Sequence, residues 1–501
     1  MTDVLVVGAG PTGLTLACDL ARRGVAVRIV DRAPELPRGS RGKGLSPRSL
    51  EVLDDLGLVD ELLKAGVTHL LSRKYRGAEV IAETDPVAGL AATPGIPYPV
   101  GLLIPQWRVE QALRERLADF GVAVELGTEL REVHQDPDGV TATVGEMPVR
   151  TCYLAGCDGG RSTVRRALGL RMHGETPDVQ LMAVGDVEAD GLGRDAWHQW
   201  FAADGAIMLC PLPGTSAFQV QASHELGPDG SPLEPTLETF QRTFDRVAGI
   251  PGVRLHDLTW HSTYRVNIRM VDRLRVDRVF LAGDAAHVHP IAGGLGMNSG
   301  IQDAYNLGWK LGLVLAGTAS AGLLDTYDEE RLPTASWLLD ITSERLDAVL
   351  AAIEKPGGGV DAVATAELSQ LTLGYRWSRL SCDATSRLSG LRAGDRAPDA
   401  PCRDPRTGAP VRLFDVFRGP HFTLLGLGSR SAAALDGVGS DVVKPCLIGP
   451  GGLTDDGGHV ARAYGEDVLV LVRPDGYVGL IADADDASAV VGYLCSLRSG
   501  W

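Results

Sequence analysis

The residues best suited to chemistry in this chain fall in one run, Gly283–Leu311, which reads GDAAHVHPIAGGLGMNSGIQDAYNLGWKL. Its acid, Asp284, follows the apolar segment Val279–Ala282 and can accept hydrogen bonds from sugar-like hydroxyls. A loop rich in glycine and proline then opens a helix, whose first amides have no acceptor inside the helix and present its positive end. Such a turn, over Gly294, Leu295, Gly296, Met297 and Asn298, suits partial negative charge on a bound ring. A polyol-linked ring that becomes anionic, such as a flavin, meets both demands.

The other half of such a site lies at the N-terminus. Gly8, Gly10, Pro11, Thr12 and Gly13 belong to a G-x-G-x-x-G between a predicted buried strand, Asp3–Val7, and a predicted helix, Thr12–Arg23. The glycines permit a tight turn, close approach of a pyrophosphate and close helix–strand contact, with the helix start facing the phosphates. A second predicted strand, Val25–Val30, ends in Asp31 beside Arg32, about 20 residues on, where a carboxylate can bind an adenosine ribose. The fingerprint by itself does not separate FAD from NAD. A third segment, CDGGRSTVR at Cys157–Arg165, follows the apolar run Tyr153–Ala155. There Arg161 and Arg165 could meet phosphates and Asp158 could orient a basic or hydroxyl group; the same residues also read as a capped helix with surface arginines.

In this order and at these separations the three segments resemble the single-component flavoprotein aromatic hydroxylases, of the para-hydroxybenzoate and phenol hydroxylase type. Smaller blocks agree, with Arg41 in SRGKGLSPRSLEVLDDLGL and Gln106 in IPQWRVEQAL. Within the family the chain looks most like bacterial hydroxylases that tailor polyketides and other antibiotics. The resemblance implies that Gly8, Gly10, Gly13 and Asp31 hold the ADP half of FAD, and that Arg41 and Gln106 hold its middle. It also implies that Gly283 and Asp284 bind the ribityl chain, and that Gly294–Asn298 meets the pyrimidine end of the ring, with Pro290 passing beside it. Asp158 and Arg165 would serve both FAD and NADPH (or NADH). The activity implied is hydroxylation of an aromatic substrate with dioxygen, which adds to the reduced ring as a peroxide at carbon 4a. The cofactor carries that step. The protein's electrostatic contribution is then assigned to the turn Leu295, Gly296, Met297 and Asn298. His287 and His289 read as packing or hydrogen-bonding residues, and no metal site is expected.

These residues need a scaffold, and three site segments separated by long inserts predict an α/β fold with a discontinuous domain. A Rossmann-like FAD-binding domain is expected at 1–72, 100–176 and 270–330. It is interleaved with a substrate-binding sheet domain at 73–99 and 177–269. Val179–Thr263 alternates apolar and polar residues with Gly/Pro punctuation, as an antiparallel sheet does. Its aromatic and apolar residues supply the candidate substrate lining: Trp197, Trp200, Phe201, Met208, Phe218 and Tyr264, with Trp107 and Pro290 from outside it. A helical linker is expected at 331–393, with a break at Lys355–Gly359. Residues 394–501 resemble the thioredoxin-like C-terminal domain of the phenol hydroxylase branch but contain no C-x-x-C. A structural or dimer-contact role, and with it a homodimer, is therefore expected rather than disulfide chemistry.

The bulk properties set outer limits. The 501 residues are 44% apolar and 22% charged, which argues against disorder. A net charge of −16 disfavours nucleic acid and anionic lipid as partners. Eight scattered cysteines suit a reduced, cytoplasmic protein, and no long uncharged apolar stretch suits a membrane. Two rival functions share the flavin. One is Baeyer–Villiger oxygenation of a polycyclic ketone, and the other is a flavin- or drug-binding protein without turnover. A flavin halogenase is disfavoured because no W-x-W occurs.

Overall fold

The computed structural model describes residues 2–36, 38–176, 182–203, 205–264, 267–289, 294–353, 355, 358–360, 366–386 and 390–499. Its first sheet runs, in spatial order, Arg275–Val276, Val279–Leu281, Met147–Gly156, Thr2–Val7, Val27–Val30 and Val124–Glu125. The four strands from Val279–Leu281 to Val27–Val30 are mutually parallel and in register, with Val7 paired to both Gly156 and Val30, and Gly156 paired to Leu281. Val4, Leu5 and Val6 have no exposed surface, the mark of a strand covered on both faces. The register matters for function. Gly8, Asp31, Cys157 and Ala282 all emerge from the same carboxyl edge, so three motifs far apart in sequence meet at one crevice.

Behind that edge the helices Pro11–Ala21 and Leu295–Leu315 pack closely. The packing follows from a stripe of small residues, Gly300, Ala304, Gly308 and Gly312, repeating every fourth position. A Cβ on Gly300 would overlap Thr12, and one on Gly308 would overlap Asp19. No helix among the described residues is long and apolar enough to cross a membrane.

The second sheet has seven strands: Arg254–Tyr264, Met182–Asp190, Phe218–Ser223, Gly205–Pro211, Ala196–Ala202, Leu71–Arg76 and Glu79–Thr84. It is antiparallel except where Ala196–Ala202 runs parallel to Leu71–Arg76. One face is closed by the helix Leu237–Val247, which buries Phe240 and Phe244 against Trp200, Phe218, Ile207 and Val220. Trp200 donates its indole N–H to the Gly77 carbonyl at 3.0 Å and stacks on Tyr75 at 4.6 Å. This corrects the sequence reading of Trp200 and Phe218 as substrate-lining residues: both belong to the core under this helix. Because side chains alternate along a strand, their neighbours Trp197, Gln199 and Phe201, together with Met208, Gln219 and Gln221, face the other way.

The long helix Asp325–Ile353 continues through Pro333 without stopping. Of the break expected at Lys355–Gly359, residues 356–357 lie outside the described residues. The C-terminal unit holds a five-stranded mixed sheet, in the order Cys382–Ala384, Val478–Asp483, Val468–Val472, Phe422–Leu427 and Val443–Ile448. It seats on the Leu295–Leu315 helix, where Trp309 meets Phe422 edge-on at 5.7 Å. The seam is also ionic. Glu330 takes Lys310 at 2.7 Å and Arg473 at 2.6 Å, Arg473 also pairs with Asp475, and Trp309 donates to Asp475 at 3.0 Å.

Candidate cofactor cleft and substrate face

At the carboxyl edge the glycines divide their labour. A Cβ on Gly8 (φ +102°) would overlap the Cys157 carbonyl, and one on Gly13 would overlap Gly8, so both allow close packing. A Cβ on Gly10 would have no neighbour within 4 Å, which leaves open space before the helix that starts at Pro11 and Thr12. Gly10 provides no side-chain cap there, so the helix amides remain available for an anion. Asp31 accepts the Ala9 amide at 2.7 Å and the Ala33 amide at 2.8 Å, shaping the loop beside the exposed Arg32.

Gln106 and Arg41 occupy the next stretch. Gln106 Oε1 accepts the Gly42 amide at 3.0 Å while its Nε2 donates to Glu110 at 2.8 Å. Its amide therefore fixes the turn that carries the exposed Arg41. Glu110, which the sequence reading passed over, is a buried acid whose pKa is pushed up to about 7, mainly by burial. Its position four residues after Gln106 on one helix was the only available signal.

Asp158 Oδ2 accepts the amides of Thr163 and Val164 at 2.6 and 3.1 Å, and its buried Oδ1 has no partner among the described residues. Arg165 donates to the carbonyls of Ala285 and Gly160, both at 2.9 Å. Its guanidinium ties the Cys157–Arg165 segment to the Gly283–Ala285 turn, which corrects the expectation of a direct phosphate contact. Arg161 is exposed.

Asp284 is the polar floor of the cleft. Protein surrounds it, yet its side chain stays accessible and accepts no hydrogen bond among the described residues. Burial raises its pKa, opposed by the nearby His287 and Arg41. The Gly296 position lies close by, since a Cβ there would stand 3.2 Å from His289 and 4.0 Å from Asp284 Oδ1. Gly294 starts the helix in the left-handed region (φ +64°) without a side-chain cap, which leaves the Leu295, Gly296 and Met297 amides at its first turn. Asn298 contributes through its side chain: Oδ1 accepts the Ser46 amide at 2.7 Å, and Nδ2 donates to Gly294 at 2.8 Å and Gly44 at 3.1 Å. Pro290 and Gly293 lie outside the described residues. His287 bonds Asp303 at 2.7 Å, and Asp303 also holds the Gly283 amide at 2.9 Å and Arg331 at 2.7 Å. This buried network, absent from the sequence reading, braces the Gly283–Asp284 turn from below.

The other face of the second sheet, where Gln199, Met208, Gln219 and Asp186 are buried, meets the turn Gly39–Gly44. The Ser40 amide donates to Asp186 at 2.8 Å, Gln219 Nε2 bonds the Ser40 carbonyl, and Lys43 Nζ reaches Gln219 Oε1 at 2.6 Å. Met297 packs on Gly42 from the cofactor side. Trp197, Phe201 and Met208 lie on this face, and Tyr264 donates to the His289 carbonyl at 2.9 Å. Trp107 stands apart at the first turn of the helix Gln106–Asp119, its ring covered by Arg108 at 4.3 Å.

The donor set fits FAD: open amides at Gly10 for a pyrophosphate, an accessible acid at Asp284 for a polyol, and open amides at Leu295–Met297 for the ring. Comparisons with known proteins agree. Residues 1–342 match a family described as FAD binding domain, and residues 391–494 match one described as aromatic-ring hydroxylase, C-terminal. A flavin-dependent monooxygenase of Mycobacteroides abscessus is 43% identical over 96% of this chain and 97% of its own length. The pentachlorophenol 4-monooxygenase of Sphingobium chlorophenolicum is 34% identical over 97% and 95%. The solved structure of aklavinone-11 hydroxylase with FAD and aklavinone has a TM-score of 0.82 and 30% identity, covering 99% of this chain and 98% of that one. The chain belongs to the FAD-dependent aromatic-ring hydroxylase family and is an FAD-dependent monooxygenase.

Proposed function

We propose that the enzyme hydroxylates a flat, polycyclic aromatic of the polyketide or antibiotic type, with NADPH (or NADH) as reductant and dioxygen as oxidant. The observation that carries this reading is the juxtaposition of two surfaces. Met297, on the helix start, packs on Gly42, and Lys43 of the same turn lies over Trp197 on the sheet face that strand alternation also gives Phe201 and Met208. Relatives support the substrate class, since aklavinone and tetracycline intermediates figure in their names.

FAD supplies the hydride acceptor and the oxygen-activating ring. The chain's own residues bind and orient it. Gly8, Gly10 and Gly13 let the pyrophosphate approach the helix start, Asp31 takes the ribose, and Asp284 accepts the ribityl hydroxyls. Gln106 holds the turn carrying Arg41 against the middle of the cofactor. The amides of Leu295, Gly296 and Met297 place positive dipole where the ring gains negative charge, while Asn298 fixes the helix start in place. Arg165 acts as a positioning residue for the Gly283–Ala285 turn. Trp197, Phe201, Met208 and Tyr264 cover the reacting ring and exclude water.

The test combines turnover with product structure. Purified holoenzyme is mixed with NADPH or NADH and a panel of polycyclic phenols, and the oxygenated product is examined by NMR. A ligand-stimulated oxidation that yields a new ring hydroxyl is expected. A ring-expanded lactone would replace hydroxylation with Baeyer–Villiger chemistry, and ligand binding without stimulated oxidation would make the protein a binder.

A further inference from the structure

Buried ionised groups are expensive, so native proteins pair them. This chain has 64 acidic and 48 basic residues, and carboxylates are the more plentiful partner. Lys310 follows the rule with Glu330 at 2.7 Å. Lys43 does not. Protein encloses its amine, and burial pulls its pKa down, but no carboxylate lies within ion-pair distance of it among the described residues. Its partners are neutral: Gln219 Oε1 at 2.6 Å and the Trp197 ring, whose centroid lies 4.3 Å from the amine. Over the indole face the amine is placed for a cation–π contact whenever it carries its proton. Asp186 and the Cys210 thiol are the titratable groups that act on it from the sheet.

Asp186 is the complementary anomaly. It is a buried acid whose Oδ2 takes the Ser40 amide at 2.8 Å, with the Ser40 hydroxyl close by. The Ser40 hydroxyl acts on the same carboxylate as a second donor, whereas the buried Trp197 indole N–H has no acceptor among the described residues. Lys43 is the charged group that acts on Asp186, at a distance beyond ion-pair contact. An amine without a carboxylate in ion-pair contact, an acid held only by Ser40 and an indole donor without an acceptor among the described residues thus share one sheet face. Gly42, next to Lys43, carries Met297 from the cofactor side. The array stands where a substrate would meet the flavin-side turn.

We propose that Lys43, backed by Asp186 and the Trp197 indole, is the specificity-determining group of the substrate pocket, and that it selects an aromatic bearing a phenolate oxygen next to a second hydroxyl. The ammonium takes the phenolate, Asp186 Oδ1 accepts a hydrogen bond from the neighbouring hydroxyl, and the indole N–H donates to a ring oxygen. Charge-assisted bonds of this kind are the stronger ones, and they strengthen further in an enclosed site. The proposal rests on the aromatic-substrate reading above and adds the ionisation state and substitution pattern of the ligand.

The probe is alizarin, a flat tricyclic dione with two adjacent hydroxyls, the more acidic of which ionises near neutrality; its dimethyl ether is the control. FAD-loaded protein is titrated with each in the absence of reductant, so failure of turnover leaves this readout intact. Wild type should bind alizarin with the anion's absorbance on the acidic side of the dye's own midpoint, and should bind the ether at least about tenfold more weakly. Lys43→Met should lose both the spectral shift and the preference while retaining FAD, and Lys43→Arg should recover the shift. Neutral dye on the wild type, no dye binding by the wild type, or an unchanged shift in Lys43→Met would each overturn the proposal.

Discussion

Two regions of this molecule bury charge, and they treat it in opposite ways. Along the seam with the C-terminal unit, Glu330 is held by Lys310, Arg473 and the Asn306 amide, and Asp475 by Arg473 and Trp309. Around the cofactor cleft and the sheet face, Asp284 accepts no hydrogen bond, and Lys43 and Asp186 have only neutral hydrogen-bonding partners, Gln219 and Ser40, among the described residues. Asp186 on the sheet face is buried, as Glu330 is at the seam, so desolvation alone does not distinguish the two, while Asp284 stands accessible in the cleft. The difference is that the seam satisfies its own groups and so serves structure, whereas the cleft keeps valences open for molecules that bind there.

The comparison can be broken most forcefully at the seam. Glu330→Ala leaves Lys310 and Arg473 buried with one anion fewer. Unfolding by denaturant should show a loss of about 3–5 kcal/mol. A loss below about 1 kcal/mol would mean that the seam charges are not coupled as the distances imply.

On the sheet face the sign reverses. Burial raises the Asp186 pKa from 3.8 to about 6, so the folded chain holds its proton more tightly than the unfolded chain does. Between those values stability falls as pH rises, and above them the full penalty remains, at most about 3 kcal/mol. Asp186→Asn should therefore stabilise the protein at neutral pH, with a gain that fades as pH drops below the unfolded carboxylate range. Melting curves across that range check it. A mutant destabilised equally at every pH would show that the Ser40 hydrogen bonds to Asp186 outweigh the cost of burying its charge.

Much of this arrangement was legible in the sequence. A strand running into a glycine turn recurs at Gly8, Cys157 and Gly283, and parallel strands bring such turns to one edge because each chain segment leaves the sheet there. The alternating run in 177–269 likewise read as a sheet. Which face of that sheet a given aromatic occupies was not legible, since Trp197 and Trp200 differ only by their place in a period of two, and a helix distant in sequence decides which parity is buried. Arg165 was placed on a phosphate because spacing shows its charge and not the Ala285 and Gly160 carbonyls that take it. Lys43 sat inside a block where Arg41 drew notice. Its isolation from carboxylates exists only once Gln219 and Trp197 fold against it.

Asp284 is the acid held open for the ribityl chain of FAD, and cofactor retention rests on it more than on any other side chain of the cleft. Its direct measurement is the flavin-to-protein ratio of purified Asp284→Ala, read from the visible absorbance beside the wild type, with far-ultraviolet circular dichroism confirming the fold. A folded, largely colourless mutant is predicted. A folded mutant that remains fully yellow would contradict the assignment, and with it the claim that open polar groups in this protein mark where its ligands bind.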